Sequence, residues 1–244
     1  DGEGRITGRP IHFTINSRIY KDVRDGEKYK ADFIYARDYG ALMLRLAQLW
    51  RNAADPAVKA EVGKDYLLMV KHLFDQGYVY GSNMGGRMIA GYSTRELFGS
   101  LLLMRDFLAK NGLREELFRM GRWHFDLNMM LDDKYFLLPN ADYLNINMRS
   151  ALIALLMLPD SPEKAARLCA FSKFASRNIG WETPGWMGGF KPDGTAFHHW
   201  GHYPSYFFGG MNGATIICYA YAGTPWAVSP EATGSLKRAL KAAF

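Results

Sequence analysis

A helical period that recurs in pairs constrains this chain more than any other feature. Tyr39, Leu42, Met43, Leu46, Leu49 and Trp50 return at steps of three and four, and so share one face of a helix. A second face follows at Val62, Tyr66, Met69, Val70 and Leu73, with Asp55 placed to cap it and Pro56 at its first position. The same rhythm predicts helices over 93–110, 113–131, 143–158, 162–178, 210–222 and 229–244. Ser93-Thr94-Arg95-Glu96 has the spacing of a capping box at the head of the third helix. The helices group as 35–52 with 57–76, 93–110 with 113–131, 143–158 with 162–178, and 210–222 with 229–244. Short links join the partners, and longer loops at 77–92, 132–142 and 179–209 join successive pairs. Such hairpins bury their apolar faces by stacking, which predicts an all-α chain, an α/α toroid or a helical solenoid. The longer loops then gather at one end. No strand-rich segment is expected. Residues 1–34 have little period and read as an extended lead-in to a helical domain over 35–244. The pattern is still open at Leu236, Leu240 and Phe244, which points to truncation there.

Composition narrows the partners. The chain is 48% hydrophobic, ample for a buried core in one large or two small domains, yet no apolar run reaches the ~18 residues of a membrane span. A net charge of +6 favours a polyanion. The basic residues are scattered, with no nucleic-acid motif, so neither nucleic acid nor membrane is an expected partner. Cys169 and Cys218 fall in apolar helical contexts and are expected to be free thiols.

Chemistry concentrates in Gly188–Phe208. His198, His199 and His202 stand within five residues, Tyr203 and Tyr206 follow, and Trp200 lies among them. Pro192-Asp193-Gly194 marks a turn. The stretch is too aromatic for disorder and too irregular for a helix, which points to an ordered active-site loop. A histidine and a tyrosine together can share proton transfers; packed aromatics with satisfied polar tips are the competing reading, and chemistry alone does not rank the three histidines. Asn145 and Asn147 sit near a helix start, where an amide can bind an anion or cap the helix. Arg95 and Arg149, each near a helix start, are placed to reach an anionic ligand or to remain surface charges. Trp181, Trp186 and Trp200 are candidate stacking platforms for sugar rings. Glu182, Asp193 and Asp142 are the loop carboxylates a hydrolase would draw on.

Three stretches carry a family resemblance: KPDGTAFHHWGHYPSYFF (191–208), GYSTRELFGSLLLM (91–104) and DYLNINMRSALIALLMLPD (142–160). They resemble, in order and interval, the motifs of the chondroitin and hyaluronan lyases, polysaccharide lyase family eight, and most nearly the chondroitin sulfate ABC lyase branch. The likeness runs from about Leu73 onward. It implies an incomplete α/α toroid followed by β-sandwich domains, which this chain lacks. It also implies β-elimination at a uronic acid, with His199 and Tyr206 catalytic and Asn145 on the uronate carboxylate. Trp200, Trp186, Trp181, Arg95, Arg149, His202 and Tyr203 are then the expected substrate-binding residues. The family's catalytic arginine and glutamate belong beyond Phe244, so the chain alone is expected to turn over poorly. Dermatan-cleaving members carry histidines just before the Gly91 motif; here that place reads Arg87-Met88-Ile89-Ala90. Chondroitin sulfate or hyaluronan is therefore the expected partner, with dermatan sulfate left open. The protein is expected to be a monomer, secreted or periplasmic and bacterial, and a divalent cation such as calcium is left open. The rivals are a non-catalytic glycan-binding toroid, an α/α glycoside hydrolase and, on charge alone, a nucleic-acid binder.

Overall fold

A computed structural model describes residues 8–12, 34–82, 87–131 and 140–243, with side chains omitted for 87–90. Among them the chain is helical, with two small groups of strands. The all-α expectation therefore holds. Much of the 1–34 lead-in and of the 132–142 loop lies outside the described residues, as does 83–86. So do the side chains of Arg87-Met88-Ile89-Ala90.

The chain forms two compact units, residues 1–126 with 156–158, and residues 127–155 with 159–244. In the first, β1 (Ile11–His12) pairs in parallel with β2 (Ile34–Tyr35), and Ile11 N–H donates to Gln76 Oε1 at 3.2 Å. Helix α1 (Ala36–Asn52) leads into α2 (Pro56–Asp75). Asp55 Oδ1 accepts from Ala57 N at 2.8 Å with Pro56 at the helix start, as the sequence predicts. Next come α3 (Arg87–Leu103), α4 (Arg105–Lys110) and α5 (Arg114–His124). Helix α1 packs most extensively on α3, across one helix in sequence, and less on its neighbour α2. At that crossing a Cβ on Gly40 would lie 2.9 Å from the Leu97 backbone nitrogen. Small side chains permit this close approach, and Met43, Ala47, Leu97 and Leu101 fill the seam. The Tyr66 hydroxyl, 2.7 Å from Ser100 Oγ, ties α2 to α3. Arg114 holds the 156–158 segment through Nε to the Met157 carbonyl at 2.7 Å.

Ser93-Thr94-Arg95-Glu96 is not a helix start. Helix α3 begins upstream at Arg87 and carries both Ser93 and Thr94 buried in its interior. The six preceding helical residues already supply the backbone acceptors that a cap would replace.

In the second unit a 3₁₀ turn (Leu127–Leu131) precedes α6 (Ala141–Ile146), α7 (Met148–Leu156) and α8 (Pro162–Gly180). Asn140 Oδ1 caps α6 by accepting from Asp142 N at 2.8 Å, and Ser161 Oγ caps α8 by accepting from Lys164 N at 3.2 Å. Three strands follow, β3 (Gly189–Phe190), β4 (Ala196–His198) and β5 (Gly201–His202), then α9 (Pro204–Tyr221) and α10 (Pro230–Ala243). The strands form an antiparallel sheet in that order. Such short strands leave too few alternating residues for a period to register, so the sequence shows only turn signals there. Helix α9 also starts six residues before the expected 210, because Pro204 is a preferred first helical residue. Helix α8 packs mainly on α10, and α6 mainly on α9. Phe171, Phe174, Ile179, Ala214, Ile217 and Tyr221 lie in this core. Cys169 and Cys218 are free and half-buried, as expected.

Candidate functional site

The site is built from a hairpin set against a helix start. Strands β4 and β5 pair Phe197 with His202 and His198 with Gly201, which leaves His199 and Trp200 as a two-residue loop. Both have left-handed backbones, with φ of 50° and 69°. Positive φ at both positions is the signature of the type I′ turn that suits a two-residue hairpin. Asn and Gly usually occupy it, because a Cβ in this region costs on the order of 1–3 kcal/mol. Strain of that kind persists where the surroundings over-determine it, and it clusters at functional sites. At the preceding bend, Asp193 Oδ1 accepts from Thr195 N at 2.9 Å and Thr195 Oγ1 at 2.8 Å, so this carboxylate builds a turn. Those two bonds hold its pKa below the ordinary value. Gly194 has φ of 86°, and a Cβ there would lie 2.5 Å from the Arg238 carbonyl oxygen.

Helix α9 begins two residues after β5 and brings Tyr206 back under the hairpin tip. The His199 and Tyr206 rings stand edge-on with centroids 5.3 Å apart. His198 lies against both, 4.1 Å from His199 and 4.2 Å from Tyr206. Tyr203 completes the cluster, 4.9 Å from Tyr206 and 5.8 Å from His199. Burial pushes the His198 pKa down, His199 pushes it the same way, and Asp142 opposes them. Asp142 is buried in the first turn of α6.

Asn145 lies against α9 along a glycine seam. A Cβ on Gly209 would lie 2.7 Å from Asn145 Nδ2, and one on Gly210 would lie 2.9 Å from the Ala141 carbonyl oxygen. A Cβ on Gly213 would run into the Leu144 carbonyl oxygen. Glycines at these places let α6 lie flush on α9, and Gly209 is one helical turn beyond Tyr206. His199 and Tyr206 thus stand together, and Asn145 lies against the same helix at Gly209.

The remaining candidates are spread more widely. Trp200, at the hairpin tip, is 81% exposed, and Trp186 is 69% exposed with its ring 6.3 Å from Phe197 of β4. His202 Nδ1–H donates to the Ala196 carbonyl at 3.2 Å, across the strand pair. Trp181, the last residue before the loop, instead lines an open pocket of about 630 Å³ with Ser176, Arg177, Ser229 and Glu231. None of the hairpin residues lines that pocket. Arg149 is exposed near the start of α7, and Arg95 is half-buried on α3 of the first unit. Glu182 accepts from Arg238 Nε at 2.8 Å, so it is held in an ion pair. Among the described residues, no group of three or more His, Cys, Asp or Glu side chains is placed to hold a metal ion. No described helix is long and apolar enough to cross a membrane.

Two participants escape the sequence reading. His198 is one of three unranked histidines until the structure sets its ring between His199 and Tyr206. Lys191 reads as a lysine before a turn, and nothing in its neighbours announces that its ammonium is buried.

The chain belongs to the family described as "Lyase, catalytic", whose pattern matches residues 1–244. It is 33% identical over 244 residues to a chondroitin sulfate ABC exolyase of Bacteroides thetaiotaomicron, covering 98% of this chain and 24% of that protein. It is 31% identical over 220 residues to a chondroitin sulfate ABC endolyase of Proteus vulgaris, covering 87% and 21%. A chondroitin sulfate ABC exolyase of the same organism is 30% identical over 251 residues, covering 98% and 24%. The chain thus spans about a quarter of the length of the curated relatives it matches.

Proposed function

We propose that this chain is the helical part of a lyase that cleaves uronic-acid-containing glycosaminoglycans, of the chondroitin sulfate or hyaluronan type, by β-elimination. The His199–Tyr206 ring pair, with Asn145 seated against Gly209 of the same helix, supports the reading. In the reaction a base takes the proton from C5 of the uronate. The electron pair forms the C4=C5 double bond as the C4–O bond to the next sugar breaks. A proton then goes to the departing oxygen, leaving a hydroxyl on one fragment and an unsaturated uronate on the other. The C5 proton is only weakly acidic while the carboxylate is charged. The Asn145 amide, donating to a carboxylate oxygen, stabilises the charge that gathers there in the transition state. Tyr206, as the phenolate left when His199 takes its hydroxyl proton, accepts the C5 proton and passes it to the leaving oxygen. His199 stands edge-on to Tyr206 and assists as its proton partner. Trp186, Trp200 and Tyr203 offer ring faces to the sugars.

Hydrolysis asks for two free carboxylates across a cleft. Glu182 is bound by Arg238 and Asp193 by Thr195, so neither fits that part. A net charge of +6 suits an acidic chain of sugars. A polymeric substrate places the protein outside the cytoplasm, secreted or periplasmic, and we take it to act as a monomer. The test is ultraviolet absorbance of the unsaturated product from chondroitin sulfate and hyaluronan, using the full-length protein that carries this chain. Binding of either polymer without absorbance change would instead make this a glycan-binding domain.

A further inference from the structure

Lys191 is 5% exposed, and its ammonium lies inside the loop that carries Trp186. Its Nζ donates to the carbonyls of Thr183 at 3.1 Å and Gly185 at 2.9 Å, to Thr183 Oγ1 at 2.9 Å, and to the Met187 carbonyl. Three N–H groups thus share four oxygens, all from one five-residue stretch. Residues 183, 185 and 187 turn their carbonyls inward around the cation. Thr183 is buried, whereas Trp186 stands out into solvent. The ammonium also lies 4.6 Å from the centroid of the Phe197 ring, the ring that Trp186 packs against. Burial pushes the Lys191 pKa down, so this cage holds its charge at a desolvation cost. Simple loop closure does not require that expense. Thr183 N–H already donates to the Phe190 carbonyl at 3.2 Å, and Thr183 Oγ1 to the Gly188 carbonyl at 2.7 Å. What the ammonium adds is a fixed relation between the loop that presents Trp186 and the strand that leads into His198 and His199.

We propose that Lys191 is a positioning residue for substrate binding, whose buried ammonium sets the Trp186 ring on Phe197 as a sugar platform beside the catalytic hairpin. The proposal rests on the lyase reading above. A platform of this kind acts on polysaccharide binding more than on proton transfer, because stacking on a neighbouring sugar is present in both ground and transition states. Lys191 acts through Trp186, so the two residues are energetically coupled.

The experiment is a double-mutant cycle in the full-length protein, with chondroitin sulfate oligosaccharide as ligand. Kd is read by calorimetry, and KM and kcat by product absorbance. Lys191→Met and Trp186→Ala are each expected to raise Kd and KM about tenfold, with kcat within about threefold of wild type. The double variant is expected to be no weaker than either single variant. Should Lys191→Met fail to fold, Thr183→Val, which removes one acceptor from the cage, is expected to show the same pattern at smaller size. Multiplying effects in the double variant would overturn the proposal, as would a Lys191→Met loss confined to kcat or an unchanged Kd. If wild type binds but forms no product, the lyase reading falls and the Kd cycle still decides Lys191. If wild type forms product and the cycle multiplies, Lys191 falls alone.

Discussion

At the scale of single residues, the account rests on why unusual side chains occupy costly positions. His199 and Trp200 adopt left-handed backbones that glycine or asparagine would take with less strain. The hairpin therefore exchanges stability for the presentation of an imidazole and an indole at its tip. Asn145 makes the complementary case, since the helix it touches has given up a side chain at Gly209 to let it in. Asn145→Ala should lower kcat about 100- to 1000-fold, with Kd for chondroitin sulfate nearly unchanged. Kinetics paired with calorimetry checks this; a loss in Kd matching the loss in kcat would make Asn145 a binding residue only. The grouping of His199 with Tyr206 was legible in the sequence because both fall in the one irregular, aromatic stretch of 191–208. The parts of His198, Asp142 and Lys191 were not, since each depends on a neighbour more than two residues away that only the fold supplies.

At the scale of elements, helix caps and prolines marked boundaries well where they lay outside a helix, as Asp55-Pro56 and Ser161-Pro162 do. The same logic misread Ser93, because a capping-box spacing can also occur in the middle of a buried helix. Small-residue seams were likewise invisible to a search for apolar periods, which registers Leu and Met but not the glycines that let helices touch. The α6–α9 seam is open to test. Gly213→Ala should destabilise the protein by about 1–3 kcal/mol, because the added methyl group meets the Leu144 carbonyl and the helices must part. Chemical denaturation reads the change. Unaltered stability would mean that the two helices are free to shift, and that Asn145 is not held by the packing described.

At the scale of the molecule, pH acts through buried histidines. His124 is buried with Nδ1–H donated to the Met120 carbonyl at 2.8 Å, its Nε2 has no hydrogen-bond partner among the described residues, and its ring lies 4.4 Å from Tyr78. Burial pushes its pKa below the ordinary 6.5, and burial does the same for His72 and His198. Below about pH 6.5 the unfolded chain binds protons that the folded chain refuses. The stability contributed by these neutral rings is therefore fully present above that pH and is lost as pH falls through the folded-state values. Denaturation midpoints should drop between about pH 7 and pH 5, and His124→Gln should make the drop shallower. An equal or steeper drop in the variant would remove His124 from the explanation. Class and helix content were readable at this scale from paired periods, while the three-stranded sheet within 189–202 was too short to leave a pattern.

The most direct measurement of the central claim is product absorbance from the full-length protein and its Tyr206→Phe variant, with chondroitin sulfate binding measured alongside. Wild type should release unsaturated oligosaccharide. The variant keeps the ring that packs on His198 and His199 and loses only the hydroxyl to which the proposal gives the proton transfer. It should bind within about threefold of wild type and lose at least about 100-fold, and as much as 10,000-fold, in turnover. A Tyr206→Phe protein that forms unsaturated product at the wild-type rate would contradict the account.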